Sequence, residues 1–468
     1  MSSLAGLFIE NGWRVSGCDK ATVYPPASNT LTNLGILPFS GFDPNHLDAS
    51  TDLVIVGNIV RKDNVEDKAA RDMGLPRLHM AAALYSYFIK NKTSIVVSGT
   101  HGKTTCSSLL SFLLTRIGLD PGFFIGGVIR DLGTSYHLGS GEYFITEGDE
   151  YDCAWFDKQP KFLHYHPRYL LLTNVEFDHA DIYGSIDEVV SEFTKLVKRV
   201  PADGKIVYCK DSPLLTTIIH EATCPVESYS AIRPDADWRC METGNRNGKP
   251  CYSIMHRGTT KGCFKSNLMG QHNALNISGV LALVRSMGLE INEVIPHLSS
   301  FSGAERRLQI RTTGDIILID DFAHHPTEIT ATIEAIRHRW PSRRITALYE
   351  PKTQTSRRAV FQDETAQALM HADDILIMEP QDISGIPLES RINISRLCEM
   401  IRSERKQCHS FRDIESLTRF LVPRLTEPDT VLVMMSAGSF HGLGGILEHE
   451  IIVKGLGARF DGTDLNNR

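Results

Sequence analysis

The chain has 468 residues, of which 42% are hydrophobic and 22% charged, and its formal net charge is −7. This length predicts roughly three domains, and the negative charge disfavours a general nucleic-acid binder. No apolar run approaches the roughly 20 residues that cross a bilayer, and the start Met1-Ser2-Ser3-Leu4 lacks the basic region of a signal peptide, so we expect a cytoplasmic protein.

The first domain is predicted to be Rossmann-like and to span about residues 1–90. A helix over 3–11 opens it, and short strands are predicted over 14–18 and 53–56. A nucleotide-binding unit of this kind opens with a strand and a glycine-rich turn before its first helix. We therefore infer that the first strand and most of its glycine loop are absent from this sequence; the alternative is a domain that begins with a helix.

A central α/β domain is predicted over about residues 91–303, with a phosphate-binding loop near its start. An apolar strand over 94–98 precedes a loop and an amphipathic helix; the loop is Gly99-Thr100-His101-Gly102-Lys103-Thr104-Thr105. Gly99 and Gly102 let backbone amides turn toward an anion, and the helix N-terminus adds its positive end. Lys103 offers a charge to phosphates and Thr104 a hydroxyl to Mg²⁺. The spacing is not the standard eight-residue one, so a glycine turn with a surface lysine is the alternative.

Two further segments of this domain follow predicted strands and carry potential ligands. They are Glu147-Gly148-Asp149-Glu150 and Asn174-Val175-Glu176-Phe177-Asp178-His179. The carboxyl ends of strands are where α/β sheets bind ligands, and Mg²⁺ prefers oxygen ligands. We predict that Glu147 and His179 serve metal or phosphate binding, against the alternative of a solvated loop. On a later helix, Asn273 and Asn276 are predicted to read a nucleotide base, with helix capping as the alternative.

A third domain is predicted over about residues 304–468 as a second, Rossmann-like α/β sheet. Its predicted strands cover 316–319, 345–348, 375–378 and 431–435. Arg306-Arg307 opens the domain, and guanidinium groups suit phosphates. The segment Asp320-Asp321-Phe322-Ala323-His324-His325-Pro326 closes a strand and opens a helix. Both sites are expected to face a nucleotide at the junction with the central domain.

Five segments, in order, resemble motifs of the Mur ligase family of peptidoglycan enzymes. They are GTHGKTT (99–105), EGDEYD (147–152), TNVEFDH (173–179), GQHNALN (270–276) and DDFAHHP (320–326). The resemblance implies a UDP-sugar-binding first domain, a P-loop ATPase-type central domain and a C-terminal ligase domain. It also implies that ATP activates a carboxylate as an acyl phosphate, which an amine then attacks to form an amide.

The resemblance further implies roles for individual residues. Lys103, Glu147 and His179 would be catalytic, and Thr104, Glu147 and His179 would hold Mg²⁺. The ATP-binding residues it implies are Gly99, Thr100, Gly102, Lys103, Thr104, Thr105, Asn174, Asn273, Asn276, Arg307, Asp321 and His324.

Within the family, the segment from Glu147 to Tyr165 is most similar to members that join a murein tripeptide to UDP-N-acetylmuramate during peptidoglycan recycling. The tripeptide is L-alanyl-γ-D-glutamyl-meso-diaminopimelate, and Val23-Tyr24-Pro25-Pro26-Ala27-Ser28 matches the same members. Members that add L-alanine carry Glu-Ser-Asp instead of Glu-Tyr-Asp and are the alternative. Lys158 and Lys161 are candidates for contacting the tripeptide's carboxylates; surface lysines are the equally weighted alternative.

Other functions stay open. Folate polyglutamylation uses a related central domain but lacks the UDP-sugar domain, to which Tyr24-Pro25-Pro26 belongs. A nucleotide-binding protein with impaired UDP-sugar binding is the non-enzyme alternative. Because the first strand is inferred to be absent, we expect ATP to bind better than UDP-N-acetylmuramate. No nucleic-acid or membrane partner is expected, and the sequence does not indicate an oligomeric state.

Overall fold

Helices and strands alternate along most of the computed structural model, which describes residues 1–25, 27–246 and 249–460. The helices are α1 (Ser2–Glu10), α2 (Ala27–Asn33), α3 (Val65–Asp72), α4 (Met80–Leu84), α5 (Lys103–Arg116), α6 (Ile186–Arg199), α7 (Pro213–Ile218), α8 (Gln271–Ser286), α9 (Ile291–Val294), α10 (Pro326–Arg339), α11 (Gln362–Leu369), α12 (Ile394–Ser403), α13 (Ile414–Leu421) and α14 (Leu443–Val453). Pro326 is the first residue of α10, as predicted, because its fixed φ suits a first helical turn.

The strands are mostly short and apolar. They are β1 (Cys18–Asp19), β2 (Phe39–Ser40), β3 (Val54–Val56), β4 (Arg77–His79), β5 (Thr93–Ser98), β6 (Gly122–Ile129), β7 (Thr134–His137), β8 (Tyr143–Gly148), β9 (Asp152–Ala154), β10 (Asp157–Pro160), β11 (Tyr169–Leu172), β12 (Lys205–Cys209), β13 (Val226–Ser230), β14 (Trp238–Arg246), β15 (Lys249–His256), β16 (Thr259–Lys265), β17 (Gln309–Gly314), β18 (Ile316–Asp321), β19 (Arg344–Tyr349), β20 (Asp374–Met378), β21 (Gln407–Phe411), β22 (Thr430–Met435) and β23 (Gly457–Arg459). The alternation confirms the predicted α/β class.

The first segment, residues 1–90, contains two separate pairs of parallel strands. β1 pairs with β2 and β3 pairs with β4, and within the described residues no strand joins the two pairs. The strand predicted over 14–18 is instead Cys18–Asp19, because only these residues find a parallel partner. Pro26 of the motif at 23–28 lies outside the described residues. The apolar side of α1, including Leu4, Leu7 and Phe8, is buried.

The central segment is built on one ten-stranded sheet with the order β16-β15-β14-β13-β12-β11-β5-β8-β6-β7. The strands from β14 to β6 in this order run parallel, and antiparallel strands close both edges. In register, Ser98 at the end of β5 lies opposite Leu172 of β11 and Gly148 of β8. The carboxyl ends of these three neighbouring strands therefore meet at one edge, where such sheets bind ligands.

The C-terminal segment forms a seven-stranded sheet with the order β21-β20-β19-β22-β18-β17-β23. The five strands from β21 to β18 in this order are parallel, and β17 and β23 add an antiparallel edge. The boundaries predicted near residues 90 and 303 remain proposals.

The buried apolar side chains divide into three groups that do not follow the predicted domains one to one. One continuous core contains Leu4 and Phe8 of α1 together with Leu109 and Phe112 of α5, so the first and central segments share it. Two further cores lie mainly within the C-terminal sheet and the helices that cover it. None of the ten cysteines, all of which lie among the described residues, forms a disulfide. Within the same residues no helix is both long and apolar enough to cross a bilayer.

Candidate active site

The predicted phosphate loop connects the buried strand β5 to the N-terminus of the 14-residue helix α5. Gly99 and Gly102 have φ values of 135° and 81°, which L side chains rarely adopt. A Cβ on Gly99 would lie 2.1 Å from Thr173 Oγ1, and one on Gly102 would lie 2.8 Å from Asn276 Oδ1. The loop is therefore held tightly between β11 and α8, and its backbone turns at the helix end that favours an anion.

Lys103 heads α5 and is surrounded by oxygen atoms. Its Nζ donates to the carbonyl oxygens of Gly99 at 2.6 Å and Thr100 at 3.1 Å, and to Glu150 Oε2 at 2.9 Å. Burial alone would lower the pKa of Lys103, but the negative charges of Glu150 and Asp149 outweigh it and raise the pKa. The side chain is therefore positively charged at neutral pH.

Glu147 and Thr104 meet on the other side of the loop. Thr104 Oγ1 donates to Glu147 Oε2 at 3.1 Å, and the backbone amide of Gly126 donates to Glu147 Oε1 at 2.7 Å. Burial raises the pKa of Glu147, as expected for a carboxyl group that lacks an ion-pair partner within hydrogen-bond distance. A hydroxyl and a carboxylate at this spacing are oxygen ligands suited to Mg²⁺.

His179 lies with Glu150 and Asp149 in a second group of potential ligands. His179 Nε2 is 3.0 Å from Glu150 Oε1, and one ligand atom from each of the three residues lies within 4.8 Å of the others. Burial alone would lower the pKa of His179, but the hydrogen bond and charge of Glu150 raise it. Glu150 thus bridges His179 and Lys103. The sequence analysis placed Glu150 in a ligand-bearing segment but did not predict this role for it.

Three asparagines fix the loop and the helix behind it. Asn174 Oδ1 accepts the backbone amide of His101 at 2.8 Å. Asn273 Nδ2 donates to the carbonyl oxygen of Met269 at 2.9 Å, and Asn276 Nδ2 donates to Asn273 Oδ1 at 3.2 Å. Gly270, not Asn273, is the N-cap of α8, so the capping alternative does not describe Asn273.

A cleft opens beside Asn273. Residues of both the central and C-terminal segments line it, among them Arg130, Leu268, Arg307 and Phe460. The cleft adjoins the phosphate loop through Asn273 and Asn276.

Arg307 reaches the phosphate loop from the C-terminal segment. Its Nη2 donates to Thr104 Oγ1 at 3.3 Å, and its guanidinium stacks 4.7 Å from the ring centroid of Phe322. The carboxylate of Asp321 accepts hydrogen bonds from the backbone amides of Leu308 and Ala323. Burial raises the pKa of Asp321 to about 6. Asp321 thus supports the backbone that carries Arg307.

His324 belongs to a group of histidines and acids where the C-terminal segment meets the central one. His324 Nε2 lies 3.6 Å from Asp178 Oδ2, and His324 Nδ1 lies 3.3 Å from Glu328 Oε2. Glu328 also pairs with His101 Nδ1 at 3.1 Å, and Thr327 Oγ1 donates to Glu176 Oε2 at 2.6 Å. His101, Glu176 and Glu328 were not predicted, because their partners lie in segments that are distant in the sequence, 151 residues apart for Thr327 and Glu176 and 227 for His101 and Glu328 (328 − 101).

The two lysines proposed for the acceptor peptide differ in their surroundings. Lys158 is 69% exposed in its side chain and pairs with Asp152 at 2.6 Å. Lys161 is buried and pairs with Asp149 at 2.5 Å. Lys161 therefore supports the acidic group beside His179, while Lys158 faces solvent.

Comparison with known proteins covers nearly the whole chain. Residues 97–284 match the Mur ligase middle domain, 306–438 the Mur ligase glutamate ligase domain, and 1–90 the Mur ligase family catalytic domain. The UDP-N-acetylmuramate–L-alanyl-γ-D-glutamyl-meso-2,6-diaminoheptandioate ligase of Escherichia coli K12 is 33% identical over 97% of this chain and 96% of its own length. A UDP-N-acetylmuramate–L-alanine ligase of Clostridium kluyveri is 31% identical over 95% of this chain and 94% of its own.

Among solved structures, a murein peptide ligase from Psychrobacter arcticus 273-4 superposes with a TM-score of 0.73 at 28% identity, covering 96% of each chain. The three matched domains account for the sheets described above, and the relatives match from end to end. The chain therefore belongs to the Mur ligase family, whose members are ATP-dependent ligases that form amide bonds.

Proposed function

We propose that this protein joins L-alanyl-γ-D-glutamyl-meso-diaminopimelate to UDP-N-acetylmuramate at the expense of ATP, in the cytoplasm, as a step of peptidoglycan recycling. The observation that carries the proposal is the end-to-end match to the Escherichia coli ligase of that specificity. The tyrosine of Glu150-Tyr151-Asp152 and the segment up to Tyr165 support the same choice.

The phosphates of ATP are assigned to the loop amides, Thr105 and Lys103, and its base to the cleft beside Asn273 and Asn276. Arg307 comes from the C-terminal segment to the same loop, which gives the nucleotide contacts on two sides. Phosphoryl transfer depends mainly on positioning and charge neutralisation, so a charged lysine and guanidinium at this loop suit the reaction.

Mg²⁺ is assigned to Thr104 and Glu147, which offer oxygen ligands 3.1 Å apart. When bound, the ion would neutralise phosphate charge. A second ion is assigned to His179 with Glu150 and Asp149, whose ligand atoms converge within 4.8 Å.

The proposed reaction has two steps. The carboxylate of UDP-N-acetylmuramate attacks the γ-phosphorus of ATP, giving an acyl phosphate and ADP. The peptide's amine then attacks the acyl carbon, and the tetrahedral intermediate releases phosphate and a proton as the amide forms. The acyl phosphate is hydrolysed easily, so contacts such as Thr327 to Glu176, which hold the C-terminal segment over the loop, favour the product by excluding water.

Lys158 is the remaining lysine candidate for the acceptor's carboxylates, because Lys161 is committed to Asp149. Replacing it, Lys158→Ala, is expected to raise the Michaelis constant for the tripeptide severalfold and leave that for ATP unchanged. An unchanged constant for the tripeptide removes Lys158 from the acceptor site.

The decisive experiment measures ADP release with UDP-N-acetylmuramate and either the tripeptide or L-alanine. We expect release with the tripeptide to exceed release with L-alanine by at least about tenfold, a discrimination of roughly 1.4 kcal/mol. The reverse preference would identify an alanine ligase, which the Clostridium kluyveri relative makes the second candidate. Release with neither acceptor would favour a nucleotide-binding protein.

A further inference from the structure

Four potential metal ligands meet where the first segment contacts the β9–β10 hairpin, in a group separate from the acids beside Lys103. His79 ends β4, Cys153 lies in β9, Asp157 begins β10, and His164 ends a short 3₁₀ turn after β10. One ligand atom from each of His79, Cys153 and His164 lies within 4.8 Å of the others. Asp157 Oδ2 lies 3.3 Å from Nε2 of both histidines.

The two 3.3 Å separations between Asp157 and the histidines match the spacing of ligands around one ion. Zinc–nitrogen and zinc–oxygen bonds of about 2.0–2.1 Å at tetrahedral angles place neighbouring ligand atoms roughly 3.3 Å apart. A hydrogen bond between nitrogen and oxygen is usually about 2.9–3.0 Å long. In addition, Nε2 of His164 is buried and has no hydrogen-bond partner, which is costly unless something else satisfies it.

The donor set also indicates the kind of ion. A thiol, two imidazoles and one carboxylate are ligands of zinc and similar transition metals, whereas Mg²⁺ prefers oxygen alone. With Asp157 as a fourth ligand beside His79, Cys153 and His164, no position would be left open, which is typical of structural rather than catalytic zinc. We propose that His79, Cys153, Asp157 and His164 bind Zn²⁺ and that the ion fastens the β9–β10 hairpin to the first segment.

The protonation states of His79, His164 and Cys153 allow them to bind a metal ion. Burial lowers the pKa of His79 and of His164, so both rings are neutral near pH 7. Burial raises the pKa of Cys153 to about 12, so the ion must displace the thiol proton, as metals do on binding cysteine. Binding through Nε2 of His79 requires the ring proton on Nδ1, so the 3.2 Å hydrogen bond that Nδ1 accepts from the amide of Ala82 is lost.

Other residues also hold the β9–β10 hairpin against the first segment. Trp155 Nε1 donates to Asp67 Oδ2 at 3.2 Å, and Arg77 pairs with Asp67 at 2.5 Å while lying 5.5 Å above the ring of Phe156. The ion therefore adds to an existing contact, and we expect the ligand-free chain to fold and bind it afterwards. Zn²⁺ is expected to raise the melting temperature of the chelator-treated protein.

The test titrates Co²⁺, as a coloured substitute for Zn²⁺, into the full chain after treatment with a chelator. We expect the visible bands of tetrahedral cobalt together with a near-ultraviolet thiolate-to-cobalt band, both displaced by Zn²⁺. Substituting Cys153→Ser is expected to abolish the thiolate band and weaken Zn²⁺ binding on the order of 100-fold or more, since even outer partners of a metal site cost 10–100-fold.

The matched control is Cys18→Ser, because Cys18 belongs to another group of potential ligands, with His46 and Glu66. The control must keep the thiolate band. No thiolate band in the unchanged chain, or a band lost in Cys18→Ser and kept in Cys153→Ser, overturns the proposal. If Cys153→Ser fails to fold, His164→Gln decides: it must weaken Zn²⁺ binding on the same scale, and unchanged binding refutes the site. None of these measurements depends on ligase activity.

Discussion

At the scale of single residues, Lys103 holds the charge on which the phosphate loop depends. It is the side chain of the loop that combines a positive charge with three oxygen partners, two of them carbonyls of the loop itself. Replacing it, Lys103→Met, is expected to reduce ADP release with the tripeptide on the order of 100-fold or more, because the charge that neutralises the phosphates is lost.

The control for this change is Lys195→Met. Lys195 lies on the surface of α6, 54% exposed, and pairs only with Glu192 three residues before it. Such a pair contributes little to stability, so this variant should retain ADP release. Equal activity of Lys103→Met and Lys195→Met would show that the loop does not bind the reacting phosphates.

His101 links the loop to the C-terminal segment through its charge. Burial alone would lower its pKa, but the charge of Glu328, whose Oε1 lies 3.1 Å from Nδ1, and a weaker contact with Glu176 raise it to about 10. The unfolded value is about 6.5. A raised pKa stabilises the fold fully below about pH 6.5, and this contribution is lost as pH rises toward 10.

We therefore expect the wild type to lose more stability than His101→Gln between pH 7 and 9.5, by at least about 1 kcal/mol in the free energy of unfolding. Urea unfolding at each pH measures this difference. His338→Gln, which alters an exposed histidine of α10, should follow the wild type. Parallel pH curves for wild type and His101→Gln would show that the ion pair contributes nothing to stability.

Sequence reasoning identified residues whose own segment carries a signal and missed those whose role depends on a distant partner. Lys103, Thr104 and Glu147 follow strands and a glycine turn, and the structure brings them together. Asp321 was expected at the nucleotide, yet its oxygens accept backbone amides, a distinction that a sequence pattern does not contain. Glu328 was missed because its partner His101 is more than 200 residues earlier.

At the scale of elements, the turn between β5 and α5 tolerates no side chain at Gly99. An added Cβ would meet Thr173 Oγ1 at 2.1 Å and the backbone of Asn174 at 2.8 Å, and φ is 135°. Gly99→Ala is expected to destabilise the protein by about 2 kcal/mol or more and to weaken ATP binding, because the loop must move off β11. Thermal unfolding and ATP titration measure the two effects.

The control for the turn is Gly385→Ala, where an added Cβ meets nothing within 4 Å and φ lies outside the left-handed region. It should change stability by less than about 1 kcal/mol. If Gly99→Ala keeps the stability and the ATP affinity of the wild type, the turn can accommodate a side chain at this position and the prediction is wrong.

Strands with long hydrophobic runs were predicted correctly from the sequence. A short strand was misplaced, because its position depends on which residues find a partner strand. The runs at β5, β18 and β22 are apolar and buried, so their positions follow from the sequence. β1 is only two residues long and exists because Cys18 and Asp19 find a parallel partner in β2. Pairing of this kind is tertiary information, which local patterns do not carry.

At the scale of the whole molecule, the strands of the first segment differ from those of the central sheet. Two-stranded sheets are marginal by themselves, whereas β5 is hydrogen-bonded on both sides. We expect the amides of Val54–Val56 to exchange with solvent deuterium at least about tenfold faster than those of β5, as measured by hydrogen exchange with mass spectrometry. Equal protection would show that the first segment is as stable as the central sheet.

The lower expected stability of the strand pairs in the first segment also affects the binding of UDP-N-acetylmuramate. The expected preference for ATP over UDP-N-acetylmuramate stays a prediction, which calorimetric titration of each ligand decides. Normal affinity for the UDP-sugar would mean that two separate strand pairs suffice to hold it.

The shared core of the first and central segments has a mechanical consequence. Leu4 and Phe8 pack in the same apolar cluster as Leu109 and Phe112, so these two segments must travel as a single body. The C-terminal segment carries two further cores, one of which includes Met269 of the central segment, and it also meets that body through polar contacts such as Arg307 to Thr104. We therefore expect a hinge near residue 303, because moving the two bodies apart there would break ion pairs and hydrogen bonds and expose little apolar surface.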